Sequence, residues 1–465
     1  MKIALVYPPC GETNLKGGYP LGIAYLSAYL KQSHEVDIYN YNGQEDKASI
    51  KAFFSAVKTT QPDMVAISFN SFNRGQAYTI LKKIKKINKN IIVVLGGVHP
   101  STTHQQLFKY FYKKIDFIIQ SEGEMPLQKL CHALKNNEDY SNISGLVYKD
   151  GKGGIFANPV TEIIQNLDEM LLPDYSYVAD EIKKWGLAYL ITSRGCPANC
   201  TFCSTSSFWG QKVRLLSPER VGQEVEYVKS LGARRLLFHD DTFNLGISRT
   251  LKIAEILKKF DIEYAVSCRV KPVTDEMIGK LVESGCRHIA FGVETLADAT
   301  MTQINKNISK EDVKHAFDIC ANYTDKLTTS AFCCVGLPGE SEETIDETVE
   351  YLNKNIRSTH GPSASMLYIL PGTQVHDNLV KEGRFKESTW VKSNSVYYTP
   401  EYPIKTLNRW RKKINRSGIR IPFTAQPFWD DVVETKKEDE SIWKKTINKW
   451  RKKIKRNINL FYRRY

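Results

Sequence analysis

Ala188-Tyr189-Leu190-Ile191-Thr192 runs directly into Ser193-Arg194-Gly195-Cys196-Pro197-Ala198-Asn199-Cys200-Thr201-Phe202-Cys203. The first five residues read as a short strand, because a continuous apolar run of this length bounded by turn residues suits a strand buried on both faces. Cys196, Cys200 and Cys203 follow it in the spacing C-x-x-x-C-x-x-C. Three thiolates so spaced can bind three irons of a cubane 4Fe-4S cluster and leave the fourth iron open to another molecule. A tetrahedral zinc ion would want a fourth ligand close by, and no Cys or His follows until His239.

Downstream, strand-like runs from Arg235 to Phe238, Glu263 to Ser267, His288 to Phe291, Thr328 to Val335 and Ala364 to Ile369 alternate with helical patterns. With the strand before the cysteines they make six in series. This predicts a partial parallel (β/α)6 barrel over residues 182–380, whose chemistry belongs at the C-terminal ends of its strands. Upstream, Ile3 to Tyr7, Val36 to Tyr39, Met64 to Ser68, Ile91 to Leu95 and Asp116 to Ile119 read as strands separated by helical patterns. Residues 1–140 are therefore expected to form a doubly wound, Rossmann-like domain, and the chain as a whole is α/β. Its ligand-facing loops read Pro8-Pro9-Cys10-Gly11, Ser68-Phe69-Asn70, Gly96-Gly97-Val98-His99-Pro100 and Ser121-Glu122-Gly123-Glu124. Glycines there let backbone approach a bulky ligand. Residues 141–181, with a hairpin expected between Leu146 and Ala157 and a proline at Leu172-Pro173-Asp174, read as a linker.

The 42% hydrophobic and 25% charged fractions suit a soluble globular chain, and the 465 residues exceed one usual core. No apolar run reaches the roughly 18 residues of a bilayer span. Met1-Lys2-Ile3-Ala4-Leu5-Val6-Tyr7-Pro8-Pro9 is too short and too soon broken by proline for a signal peptide. A cytoplasmic location with reduced thiols is expected, and the seven cysteines outside the motif read as small buried hydrophobes.

The cysteine spacing, with the aromatic Phe202 just before the third cysteine, resembles the radical S-adenosylmethionine superfamily. The resemblance implies that the cluster cleaves S-adenosylmethionine to a 5′-deoxyadenosyl radical, which takes a hydrogen atom from a substrate carbon. His239-Asp240-Asp241-Thr242-Phe243 stands where that family more commonly has Gly-Gly-Glu. A carboxylate from Asp240 or Asp241 is expected to accept from the methionine ammonium, and Arg269 to pair with the methionine carboxylate. By the same resemblance Glu294 accepts from the ribose or the ammonium, and the turn from Gly336 to Gly339 brings backbone to the adenine.

The upstream loops, with Ile143-Ser144-Gly145-Leu146-Val147-Tyr148 and Leu167-Asp168, look like the cobalamin-binding subgroup of that superfamily. This implies cobalamin contacts at Pro9, Ser68, Asn70, Gly96, Gly97, His99, Glu122, Gly123 and Glu124. The Asp-x-His-x-x-Gly motif of histidine-ligated cobalamin proteins is absent, so cobalt is expected to carry no protein nitrogen, with His99 a turn residue. The implied activity is methylation of an unactivated carbon in a small or lipid-like substrate, with electrons from a flavodoxin or ferredoxin. A non-methylating oxidative cyclase and a non-catalytic cobalamin- or cluster-binding sensor are the alternatives.

The net charge of +14 is concentrated at one end: from Lys405 to Tyr465 there are nineteen Lys and Arg against six Asp and Glu. Leu407-Asn408-Arg409-Trp410-Arg411-Lys412-Lys413-Ile414 is echoed by Ile447-Asn448-Lys449-Trp450-Arg451-Lys452-Lys453-Ile454. In the second copy Trp443, Ile447, Trp450, Ile454 and Phe461 recur at helical spacing. Residues 381–465 are thus expected to be a basic helical region. Peripheral contact with the inner membrane face is expected of it, in preference to nucleic acid or to an amphipathic helix packed on the barrel.

Overall fold

The computed structural model describes residues 1–10, 18–44, 46–150, 152–210, 212–395, 397–423 and 428. The N-terminal half runs β1 (Lys2–Cys10), α1 (Leu21–Leu30), β2 (Glu35–Asn42), α2 (Asp46–Thr60), β3 (Met64–Ser68), α3 (Arg74–Ile87) and β4 (Ile92–Gly96). It continues with α4 (Val98–Phe111), β5 (Phe117–Ile119), α5 (Glu124–Asn136), β6 (Leu146–Lys149) and β7 (Ile155–Ala157). The strand order is β2-β1-β3-β4-β5-β6-β7, parallel through β5. Ile3 to Val6 are wholly buried because helices cover both faces. Phe53, Leu81 and Phe108 pack on one side, and Ile23, Leu30 and Leu130 on the other. The order reverses between β1 and β3, and a doubly wound sheet binds its ligand outside the strand ends at such a reversal.

The segment read as a linker is absorbed by its neighbours. The hairpin of β6 and β7 adds two antiparallel strands to the first sheet. Leu167, Met170, Tyr175 and Val178 are buried in the core of the second unit, and Asp168 accepts the Ser217 amide at 2.8 Å. Apolar residues spaced too irregularly for helix or strand can still fill a core.

The second unit comprises α6 (Ala179–Trp185), β8 (Leu187–Leu190), β9 (Ser193–Arg194), α7 (Thr205–Trp209), β10 (Arg214–Leu215), α8 (Pro218–Ser230), β11 (Arg235–Phe238), α9 (Ile247–Lys258) and β12 (Glu263–Cys268). Next come α10 (Asp275–Glu283), β13 (Cys286–Glu294), α11 (Asp298–Gln303), α12 (Lys310–Cys320), β14 (Thr328–Val335), α13 (Glu342–Asn355), β15 (Arg357–Ser358) and β16 (Pro362–Met366). Six of these strands form one parallel sheet in the order β16-β14-β13-β12-β11-β8, the expected open barrel. Three of its helices begin at side-chain caps, with Ser217 before Pro218 and capping boxes at Ser309 and Ser341.

The C-terminal region, α14 (Gln374–Lys381), α15 (Thr389–Lys392), α16 (Ile404–Asn415) and β17 (Ile419–Arg420), departs from the expectation of a free basic helix. Leu407, Trp410 and Ile414 of α16 lie in the barrel core, and Trp410 donates to Glu342 at 2.7 Å. Arg409 and Lys413 pair with Glu342 and Asp346 of α13, which neutralises part of the basic charge within the fold. The first copy of the repeat is thus a structural helix. Its apolar stripe and the acidic first turns of α13 recognise each other, a match invisible in either segment alone. β17 pairs with β15, and Phe428 is buried beside Arg235 at the N-terminal mouth of the barrel. Trp443, Ile447, Trp450, Ile454 and Phe461 lie outside the described residues. Among the described residues no helix is long and apolar enough to cross a membrane.

Trp410→Ala is expected to destabilise the protein by about 3–5 kcal/mol, the usual cost of deleting a buried aromatic, whereas the exposed Lys412→Ala should stay within about 0.5 kcal/mol. Urea unfolding midpoints of the two variants check this.

Candidate active site at the junction of the two domains

The cysteine loop is held from below by Asp240. Its carboxylate accepts the Thr192 amide at 3.0 Å, the Thr192 hydroxyl at 2.8 Å and the Ser193 hydroxyl. Burial raises the pKa of Asp240 to about 6, against the hydrogen bonds from Ser193 and Thr192, which favour the charged form. Gly195 then turns the chain with φ +94, and a Cβ there would lie 2.9 Å from the Lys212 carbonyl oxygen. That combination of left-handed backbone and close approach requires glycine.

The loop itself is fastened by the Thr201 amide to the Ile304 carbonyl and the Asn305 side chain to the Asn199 carbonyl. The Cys203 amide donates to the Cys200 carbonyl at 3.1 Å. Cys196 Sγ lies 3.4 Å from Thr242 Oγ1, and Cys203 Sγ lies 3.3 Å from Thr205 Oγ1, which donates to Asp241 at 2.8 Å. Burial pushes the Cys200 thiol up, opposed first by the nearby Lys306 and then by Arg269, while the neighbouring Cys203 thiol and Glu294 add to the rise. Among the described residues no three His, Cys, Asp or Glu side chains converge tightly enough to share one metal ion. A cubane asks for something different, since each thiolate binds its own iron. Three neighbouring thiols on one short loop suit it.

Lys306 carries no spacing signal and was not foreseen in the sequence. It is 6% exposed, pairs with Glu294 at 3.0 Å, and its carbonyl accepts from Arg269 at 3.2 Å. The only local trace of this geometry is the pair Asn305 and Asn307, both with positive φ, which brackets the lysine in a tight turn. Glu294 also has positive φ, at +67, unusual for a side chain of its kind. Arg269, Glu294 and Lys306 thus form one charged group beside Cys200, at the C-terminal ends of β12 and β13.

Arg194, immediately before this loop, reaches into the first domain. Its guanidinium contacts Glu124 at 2.5 Å and Glu122 at 3.1 Å, and Arg214 also pairs with Glu122. All four side chains are buried. Burial works against the charge of Arg194, but Glu124 and Glu122 outweigh it and raise the pKa. The rings of Tyr25 and Trp209 flank the guanidinium at 5.3 and 5.1 Å.

Between the domains lies a cavity of about 390 Å³, whose lining includes Ser68, Asn70, Gly96, Gly97, Arg194 and His239. Glu122, Gly123 and Glu124 also border it. At Gly96 a Cβ would meet nothing within 4 Å, so the backbone there faces open space; at Gly97, with φ +95, a Cβ would strike the Phe69 carbonyl. A glycine floor at the reversal of strand order with mainly apolar walls suits a broad, flat cofactor. Pro9 lies buried in β1 and outside this lining. His99 also departs from the expected contact. It is fully buried, and its ring nitrogens bond Ser71 at 2.8 Å and Tyr78 at 2.9 Å, which leaves neither for a metal. Two further positions have packing roles. Gly336 abuts Thr399 and Leu407 while Glu340 accepts its amide, and a Cβ at Gly339 would collide with Gln303. Phe202 packs with Ile304, Cys334 and Leu367.

A parallel sheet with a glycine-lined switch point, joined to an open barrel with three thiols after its first strand, defines a cobalamin-binding radical S-adenosylmethionine architecture. Comparison with known families agrees: residues 15–131 match the B12 binding domain and residues 190–352 the Radical SAM superfamily. The chain is 32% identical to an uncharacterized methyltransferase of Pyrococcus horikoshii over 88% of its own length and 91% of that protein. It is 26% identical to an anaerobic magnesium-protoporphyrin IX monomethyl ester cyclase of Rubrivivax gelatinosus, over 75% of this chain and 65% of that protein. Among solved structures, the radical S-adenosylmethionine methyltransferase TsrM of Kitasatospora setae shares the fold, with a TM-score of 0.70 at 18% identity, covering 82% of this chain and 76% of that one. The chain belongs to the cobalamin-binding enzymes of the radical S-adenosylmethionine superfamily, whose cofactors are a 4Fe-4S cluster, S-adenosylmethionine and cobalamin.

Replacing Cys196, Cys200 and Cys203 together by alanine should abolish both the cluster absorbance and 5′-deoxyadenosine formation in anaerobically reconstituted protein. Arg194→Met leaves Glu122 and Glu124 buried without their shared cation; a loss of about 3–5 kcal/mol is expected, read by urea unfolding. Paramagnetic resonance of the protein loaded with cob(II)alamin should show no nitrogen splitting that His99→Ala removes, because the His99 imidazole is committed to Ser71 and Tyr78.

Proposed function

We propose that the protein is a cobalamin-dependent C-methyltransferase acting on an unactivated carbon of a small or lipid-like substrate. The observation that carries this reading is the single cavity in which the glycine floor of the first domain meets Arg194 and His239 of the barrel. Arg194 stands two residues before Cys196, so a cofactor held over the glycine floor would lie next to the cysteine loop. When bound, the cluster delivers the electron that splits S-adenosylmethionine into methionine and a 5′-deoxyadenosyl radical, and cobalamin carries the methyl group to be transferred.

The remaining work falls to protein side chains. Cys196, Cys200 and Cys203 hold the cluster. Asp241 is the better placed of the two adjacent carboxylates to meet the methionine ammonium, since Asp240 is consumed by Thr192 and Ser193. Arg269 is assigned to the methionine carboxylate, and Glu294, steadied by Lys306, to the ribose or ammonium. Tyr19, Tyr25, Tyr189 and Trp209 wall the cavity with rings, which excludes water from a reactive carbon radical.

Product analysis tests the reading. Methylation converts S-adenosylmethionine into both S-adenosylhomocysteine and 5′-deoxyadenosine, in equal amounts per methyl group delivered, when cell extract supplies substrate. An oxidative cyclase, the activity named for the Rubrivivax gelatinosus relative, would form 5′-deoxyadenosine without S-adenosylhomocysteine.

Membrane contact is assigned to residues 429–465, because α16 serves the barrel. Truncation after Glu401 would remove Trp410 and Phe428 from the core and unfold the barrel mouth. Truncation after Phe428 is the informative variant. It should keep the cluster and 5′-deoxyadenosine formation while losing salt-sensitive binding to anionic liposomes; equal liposome binding by the truncated and full chains would sink the membrane assignment.

A further inference from the structure

Between Lys47 and Ile115 the chain holds twelve Lys and Arg and a single acidic residue, Asp63, although everything before Lys405 is close to neutral as a whole. Asp63 accepts the Lys2 amide at 2.7 Å. The three helices of this stretch, α2, α3 and α4, cover one face of the first sheet, and their apolar sides share one core. Lysine side chains knit them into a continuous surface: Lys83 Nζ lies 5.4 Å from the centre of the Phe54 ring on α2, and Lys82 Nζ 5.7 Å from that of Phe111 on α4. Lys82, Lys83, Lys86, Lys89, Lys109 and Lys113 are exposed. Among the described residues only Lys85 of the α3 lysines has an ion-pair partner, Asp116 at 2.5 Å.

Cations near a helix C-terminus complement the helix dipole, but that effect falls off within the last turn. α3 carries Lys82 and Lys83 before its last turn as well as Lys85 and Lys86 in it. Lys82 and Lys86 are four residues apart and Lys83 and Lys86 three, spacings at which like charges face and repel each other. The surface therefore holds a local excess of charge that the fold itself does not use. All three helices run from the junction back along the parallel strands, so their lysine-rich ends lie on the side away from the barrel. α4 meets the barrel at Thr102, which lies against Gly372, and Lys109 stands about 10 Å further along the helix axis.

We propose that this lysine face docks the first domain on an anionic lipid bilayer, as a contact separate from the one assigned to residues 429–465. Helices packed side by side lie about 8–10 Å apart, so the charge is spread over a breadth that one phosphate group cannot cover and a bilayer can. Its exposed cations are lysines, since Arg74 is buried with its guanidinium on the Ser71 and Ser393 carbonyls. An ammonium acts as a hydrated point charge, which suits a diffuse anionic surface, whereas ordered phosphate recognition draws on the arginine fork. Among the described residues of the three helices Tyr110 is the one exposed large hydrophobic side chain, and Lys392 Nζ lies 5.6 Å from its ring centre. The face thus offers no platform of rings for the bases of a nucleic acid. An acidic electron carrier docked at these helix ends would stand away from the cysteine loop it must reach. Two weak contacts with one surface reinforce each other, so the face and the tail act together.

Co-sedimentation of the full chain with vesicles tests this, using phosphatidylcholine alone and an equal mixture of phosphatidylcholine and phosphatidylglycerol. The face variant combines Lys82→Gln, Lys86→Gln, Lys109→Gln and Lys113→Gln. A control removes the same charge from exposed positions on the barrel helices α6 and α9, by Lys183→Gln, Lys184→Gln, Lys252→Gln and Lys259→Gln. The wild type should bind the mixed vesicles and not phosphatidylcholine alone. The face variant should bind about tenfold or more weaker, and the control within about threefold of the wild type. Glutamine keeps helix propensity and removes the repulsion between lysines, so the urea midpoint of the face variant should equal or exceed that of the wild type, which separates docking from folding. Binding by the face variant as tight as by the wild type, an equal loss in the control, or wild-type binding to phosphatidylcholine alone overturns the proposal. Release of the wild type from vesicles by transfer RNA at physiological salt overturns it in favour of nucleic acid. Truncation after Phe428 is read in parallel. A loss on truncation without any effect of the face replacements overturns the face alone, and the reverse overturns the tail contact alone.

Discussion

The buried contact of Arg194 with Glu122 and Glu124 ties the two halves of the molecule to each other and to the chemistry. A guanidinium removed from water costs several kcal/mol unless its charge is met, and here both countercharges come from the first domain. Glu124 opens α5, where the helix dipole also favours a carboxylate. Because Gly195 and Cys196 follow Arg194 directly, docking of the first domain and placement of the cysteine loop are one event. A shift at the domain interface would be felt at the first cysteine, and the rings of Tyr25 and Trp209 limit such shifts by holding the guanidinium plane.

That constraint explains how charge is distributed around the site. Acidic groups at the domain junction are consumed by Arg194 and Arg214, and Asp240 by the backbone and hydroxyls of Thr192 and Ser193. What remains near the thiols is Asp241 with the compact set of Arg269, Glu294 and Lys306, fit to grip a zwitterion such as the methionine part of S-adenosylmethionine.

The C-terminal region shows how a sequence pattern acquires a different meaning in three dimensions. The two copies of the basic repeat look equivalent, yet the first meets Glu342 and Asp346 on α13 and a gap in the barrel core, and becomes structural. Arg409 and Lys413 of that copy are partners of an acidic helix start. The charge available to an external partner is accordingly smaller than the tail composition suggests.

The strand and helix rhythm, the two α/β units, the glycine loops at Gly96 and Gly97 and the cysteine triad were legible in the chain, because each depends on residues within a turn or a strand of one another. β3, β11 and β14 fall on the residues that periodicity indicated. Other roles depended on contacts across long separations. Arg194 meets Glu124 from 70 positions away, and Trp410 meets Glu342 from 68; no local pattern encodes either pairing. Lys306 entered the site only because a turn brought it to Glu294, and His99, central to a promising loop, was turned into the core by Ser71 and Tyr78. The sequence by itself determined which chemistry the chain is equipped for, since ligand type and spacing are local. Only the tertiary structure decided which of the candidate side chains are free to take part, because a buried polar group is claimed by whichever partner the fold brings to it.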